Sequence, residues 1–115
     1  MLGRGDAAVT TGGNTVLVGE VESVLQQVPG VRFVVVLGTP HPRLGQVVTA
    51  VVTPERRGPA DGSILLRRLQ QQVRGLPAPA RPRRWLRADV LPLLASGKVD
   101  RAALGARVGA LEALR

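Results

Sequence analysis

Lys98, in the run Ser96-Gly97-Lys98-Val99-Asp100-Arg101, is the only lysine among sixteen basic side chains, the other fifteen being arginine. Lysine is a compact ammonium on a flexible stem, whereas arginine is a broad fork that is always charged. A chain built on arginine keeps a lysine where a point charge must reach a small target. Survival of one lysine by chance is the alternative that its surroundings must overcome. Two residues later Asp100 is a good helix N-cap, which puts Lys98 in a loop just ahead of a helix. The other chemistry-bearing residue types are scarce. No cysteine is present and His41 is the single histidine, so disulfides, thiolate chemistry and a metal cluster are not expected. His41 falls in a turn-rich stretch and reads as a solvated surface residue.

The elements that must position Lys98 come from 115 residues, room for one domain with one modest core. With 44% hydrophobic and 21% charged residues, the composition is that of a folded domain and not of a disordered chain. Phe33 and Trp85 are the only aromatics, which leaves the core to valine, leucine and alanine. No apolar run reaches the roughly 20 residues that span a bilayer, and the first residues lack the apolar stretch of a signal peptide. No membrane association is therefore expected, and the expected compartment is cytoplasmic. A net charge of +8 would suit nucleic acid. The arginine runs Arg56-Arg57, Arg67-Arg68 and Arg83-Arg84 are scattered, however, and have no aromatics between them for base stacking. This distribution argues for a solvated surface or an anionic partner instead.

Along the chain, residues 7–18 read as a β-hairpin around Gly12-Gly13-Asn14. Val21, Val24, Leu25 and Val28 recur at helical spacing and end at Pro29-Gly30. Phe33-Val34-Val35-Val36-Leu37 and Val47-Val48-Thr49-Ala50-Val51-Val52 read as two central strands joined by a loop over residues 38–45. Ile64, Leu65, Leu69 and Val73 predict a second amphipathic helix, broken by Gly75 and the following prolines. Trp85-Leu86-Arg87 gives a short strand, and Leu104, Val108 and Leu111 share one face of a last helix begun by Asp100. The order β-β-α-β-β-α-β-α predicts an α+β fold: a small sheet of about three strands flanked by helices and preceded by the hairpin, residues 19–115 forming the body.

Several segments recur in one known family. Gly3-Arg4-Gly5-Asp6, Val9-Thr10-Thr11-Gly12-Gly13-Asn14, Glu20-Val21-Glu22, Pro29-Gly30-Val31, Gly38-Thr39-Pro40, Leu44-Gly45-Gln46 and the closing run from Leu91 to Leu104 stand in the family's order over nearly the whole chain. The chain resembles the C-terminal domain of the adenylate-forming superfamily: acyl- and aryl-CoA synthetases, peptide-synthetase adenylation domains and luciferases. The resemblance implies a lid that closes on a large N-terminal domain. Lys98 would be the catalytic residue, carried to substrate carboxylate and ATP α-phosphate before the lid swings for thioester formation. Residues 1–6 would be the hinge segment, with Asp6 and Arg4 as hinge residues; a plain surface turn is the alternative. Gly12 and Gly13 would face the thiol tunnel, an ordinary turn being equally open to them. Glu20 would anchor the first helix. Gly97 would support the lysine loop, and Arg101 would either steady that loop or contact phosphate, the structural role being preferred for both Glu20 and Arg101.

The implied substrates are ATP with Mg and a CoA or phosphopantetheine thiol, expected only in complex with an N-terminal adenylating domain and not bound by this chain alone. The implied partners are that domain and an acyl-carrier protein. The chain begins at the hinge, without the phosphate loop and acyl pocket of the large domain. It is therefore expected to be inactive alone, either complementing a separate N-terminal domain in trans or being a piece cut from a longer enzyme. Thr10-Thr11-Gly12-Gly13 leans toward acyl- or aryl-CoA ligases such as the o-succinylbenzoate type. A reading of another class is a non-catalytic interaction or regulatory module of the same fold, docking an acidic partner such as an acyl-carrier protein through its arginines.

Overall fold

The computed structural model of the protein describes residues 8–55 and 62–114; the hinge candidates Arg4 and Asp6 and the Arg56-Arg57 run lie outside them. β1 (Ala8–Thr11) turns into β2 (Asn14–Leu17) through Gly12 and Gly13 alone. Their φ angles are 56° and 86°, the paired left-handed conformations that a two-residue hairpin turn requires. Asn14, expected in the turn, instead pairs with Thr11. α1 (Val18–Gln26) follows without a break and buries Val18, Val21 and Leu25.

β3 (Val31–His41) and β4 (Gly45–Pro54) form a long antiparallel hairpin, in register from His41↔Gly45 to Phe33↔Thr53, with a register shift before Val31↔Pro54. The expected loop over residues 38–45 is thus mostly strand, with only Pro42, Arg43 and Leu44 in the turn. Proline at position 40 is tolerated because β3 pairs with β4 alone, and an edge strand can lack one N–H. His41 closes the turn: its Nδ1 accepts from the Arg43 and Leu44 amides, both at 3.1 Å. It is therefore a surface residue that also caps the turn.

β4 is the central strand. On the flank away from β3 it meets β1 at Gly45↔Thr11 and then pairs in parallel with β5 (Arg84–Arg87) from Thr49↔Arg84 to Val52↔Arg87. The crossover between β4 and β5 carries α2 (Gly62–Gln72) and two single 3₁₀ turns. α3 (Arg101–Arg107) and another 3₁₀ turn lead to β6 (Glu112–Ala113), which pairs antiparallel with β5. The fold is α+β as expected, but one six-stranded sheet replaces the small three-stranded one. The hairpin joins it through Thr11, and the chain leaves the last helix early to add β6.

Period-2 alternation splits the strand side chains between two faces. Val34, Val36, Val48, Ala50 and Val52 pack under α1 and α2 with Leu25, Leu65 and Leu69. Val35, Val51 and Leu86 pack under α3 with Leu104 and Val108. The sheet is therefore the middle of three layers, with α1 and α2 on one side and α3 on the other. Among the described residues no helix is long and apolar enough to cross a membrane.

Candidate functional site

The lysine is presented by a miniature hairpin. The Asp100 amide donates to Pro92 O at 2.8 Å and the Leu94 amide to Lys98 O at 2.7 Å, with Leu93 and Val99 bridged between them. At the tip the Gly97 amide donates to Leu94 O at 2.9 Å, and Gly97 itself has φ 90°. A tight turn followed by one left-handed residue is the usual way to close a three-residue hairpin loop. No heavy atom lies within 4 Å of where a Cβ on Gly97 would stand, so backbone conformation and not space demands glycine there. Gly97→Ala is expected to cost about 1–2 kcal/mol for holding an ordinary residue in that conformation. Gly97→Asn should recover part of the loss because asparagine visits the left-handed region more readily. Urea denaturation of the two variants checks the order.

Lys98 follows immediately, exposed, and makes no ion pair with a described residue. In the same segment Leu93 is 60% exposed, Leu94 47% and Val90 80%: the lysine hairpin carries an unburied apolar shoulder. The base of the hairpin is held from below. Leu91 and Val99 pack against the core under α3. The Asp100 carboxylate accepts from the Ala103 amide at 3.0 Å, the N-cap expected from sequence and a contribution of about 1 kcal/mol to α3.

Arg101, the first residue of α3, reaches round the open edge of β3. Its Nη1 donates to Val36 O at 2.8 Å and its Nη2 to Glu22 Oε2 at 2.7 Å. The same Oε2 accepts from the Val36 amide at 2.7 Å. Guanidinium and carboxylate thus take the places that a neighbouring strand's peptide groups would fill, joining α1 on one face of the sheet to α3 on the other. Charge-assisted bonds are stronger than neutral ones. With Arg101 34% and Glu22 21% exposed, solvent screens this pair only in part. Both Arg101 bonds are thus made within the fold.

Glu20 is exposed in the first turn of α1, where negative charge suits the helix N-terminus. The carboxylate that ties α1 to the sheet is Glu22, which the sequence reading did not single out. The signal for it was available. Val18, Val21 and Leu25 form the buried stripe, and at 3.6 residues per turn Glu22 borders that stripe while Glu20 lies opposite. Gly12 and Gly13 are exposed at the other end of the sheet, where the Gly12 amide donates to Leu44 O at 3.0 Å. The structure therefore brings Gly97, Lys98 and Arg101 together and leaves the glycine turn as a separate feature. An open groove of about 750 Å³ runs between α1 and Val34. Glu20 and Glu22 both line it, and two carboxylates repel a polyphosphate.

Comparisons with known proteins place the family and the fold. The family model described as "AMP-binding enzyme C-terminal domain" matches residues 20–98. A "Probable 2-succinylbenzoate--CoA ligase" of Mycobacterium tuberculosis is 44% identical over 106 residues, covering 90% of this chain and 27% of that protein. A "Feruloyl-CoA synthase" of Amycolatopsis is 35% identical over 101 residues, covering 88% and 20%. Apo MatB from Rhodopseudomonas palustris superposes with a TM-score of 0.79 at 34% identity, over 91% of this chain and 20% of that one. The chain thus spans about a fifth to a quarter of the relatives it matches. By motif order, fold and the extent of the match, the chain belongs to the AMP-binding enzyme C-terminal domain family, the C-terminal domain of the adenylate-forming superfamily.

Proposed function

We propose that this chain is the lid of an ATP-dependent carboxylate–CoA ligase, working in the cytoplasm with an N-terminal adenylating domain joined to it or supplied separately, and that Lys98 is the lid's catalytic residue. The observation that carries the reading is an exposed lysine in a hydrogen-bonded hairpin that also carries two exposed leucines. Such a shoulder is suited to docking at the mouth of another domain, where burying Leu93 and Leu94 would contribute about 25 cal/mol per Å² of apolar surface. The exposed lysine favours this reading over a non-catalytic module, which would need only the arginine-rich surface.

In adenylation a carboxylate oxygen attacks the α-phosphorus of ATP, an acyl–oxygen–phosphorus bond forms and pyrophosphate leaves. Negative charge is crowded between two anions, and a single ammonium between them neutralises it without obstructing in-line approach. Mg, with the nucleotide, supplies further charge neutralisation. The acidic groove beside α1 is unsuited to ATP, which accords with a nucleotide site on the partner domain. Thioester formation follows when the lid turns about the segment containing Arg4 and Asp6 and brings the Gly12-Gly13 turn to the thiol arm. CoA is the preferred acceptor, since the relatives include two CoA-ester-forming enzymes by name, with a carrier-protein arm as the alternative thiol.

The test is to combine the chain with an N-terminal adenylating domain and measure carboxylate-dependent ATP–pyrophosphate exchange and thioester formation. Both should exceed the rate of the partner alone, and the chain alone should show neither. A partner that gains nothing from the chain would overturn the proposal.

A further inference from the structure

We infer that Glu22 is a positioning residue for Lys98, acting through Arg101 to set where the lysine hairpin stands on the sheet; the inference rests on the reading of Lys98 as the lid's catalytic group. Lys98 is three residues from Arg101, so its Cα lies within about 11 Å of that of Arg101 whatever the path. The intervening Asp100 is held twice, by its amide to Pro92 O and by its carboxylate to the Ala103 amide. Movement at the start of α3 therefore passes directly into the hairpin. α3 itself is seven residues long and rests on the smaller of the two core clusters, a short element with limited hold of its own. What orients its first turn against the opposite layer is the Arg101 guanidinium, fixed to Val36 O and Glu22 Oε2. Glu22 is in turn fixed by the Val36 amide. Its single oxygen serves two donors, so neutralising it weakens both the strap and the anchor of the strap.

Displacing a reacting ammonium by about 1 Å can cost far more rate than stability, which gives the proposal its distinctive signature. In Glu22→Gln the side chain keeps its size and one oxygen but loses its charge. Amide hydrogen exchange on the chain itself should then rise about tenfold at Leu94 and Asp100, whose amides close the lysine hairpin, the change expected for weakening one charge-assisted bond. The amides of Val51 and Val52 in the central strand should not change. In the complex with an N-terminal domain, the maximal rate of pyrophosphate exchange should fall about tenfold with KM for ATP and for the acid unchanged. Thioester formation from preformed acyl-adenylate should be unaffected. Arg101→Lys, which keeps the charge but loses the fork, should act in the same direction.

Three results would overturn the inference. The first is unchanged exchange at Leu94 and Asp100 in both variants. The second is equal acceleration at Val51 and Val52, which would make the strap a stability element only. The third is normal adenylation by Glu22→Gln in a complex where Lys98→Ala has lost it. If Lys98→Ala itself adenylates normally, the reading of Lys98 fails and the inference falls with it, an outcome distinguishable from the other three.

Discussion

Lys98→Ala is expected to lower the rate of acyl-adenylate formation by about 10²–10³-fold, the range for removing one preorganised electrostatic group from a transition state. Thioester formation from preformed acyl-adenylate should stay within about twofold, because the charge that Lys98 is proposed to neutralise exists only while the phosphorus is under attack. The two half-reactions are measured separately, by pyrophosphate exchange and by release of AMP from added acyl-adenylate in the presence of CoA. Stability does not contribute to the loss. Lys98 is exposed and makes no ion pair with a described residue, so its truncation changes folding free energy by less than about 0.5 kcal/mol. Arginine at this position does not rescue: its wide planar fork brings the charge but not the compact fit between two anions. Equal losses in both half-reactions, or full activity of the alanine variant, would remove Lys98 from the chemistry.

Leu104→Ala costs about 2–5 kcal/mol of folding stability, the range for deleting a fully buried leucine side chain. Leu104 is 1% exposed in the cluster under α3, where its buried neighbours are Val35, Val51, Leu86, Ala88 and Val108. Valine and alanine have few rotamers, so little there can move to fill the space left behind. Against a total of about 5–15 kcal/mol for a domain of this kind, the loss is a large fraction. Trp85 is the single tryptophan and packs against the opposite face of the sheet. Its fluorescence in urea therefore reports global unfolding and not only events around Leu104. The midpoint should fall with an unchanged slope. A loss below about 1 kcal/mol would mean that this face of the sheet does not hold a packed core.

Much of this architecture was legible because its signals are local. Asp100 caps α3 and the paired glycines 12 and 13 turn the hairpin through side-chain chemistry and backbone freedom that belong to those residues alone. Val47 to Val52 reads as a buried strand whatever surrounds it. The misread parts depend on distant partners. Pro40 and Gly38 look like loop residues until β3 is known to be an edge strand, where proline is tolerated. Leu111 continues the helical spacing of Leu104 and Val108, yet the chain leaves the helix to give β5 a second partner in β6. Glu20 and Glu22 are chemically identical and differ only in their angle to the apolar stripe of α1, a difference that the docking of α1 on β3 turns into different bonding. Lys98 stands out by its scarcity and its family motif. Glu22 also lies in a family segment, but as one of eight acidic residues it is not scarce.

The arrangement at Val36 has one more consequence. A strand rim with bare amides and carbonyls is a template on which another molecule's backbone can add, and soluble proteins guard such rims against runaway stacking. Here the middle of that rim is occupied by a carboxylate and a guanidinium from the chain's own helices. An incoming strand would have to displace a formed ion pair to reach the peptide groups of Val36. The same two side chains thus defend the molecule against polymerising on itself.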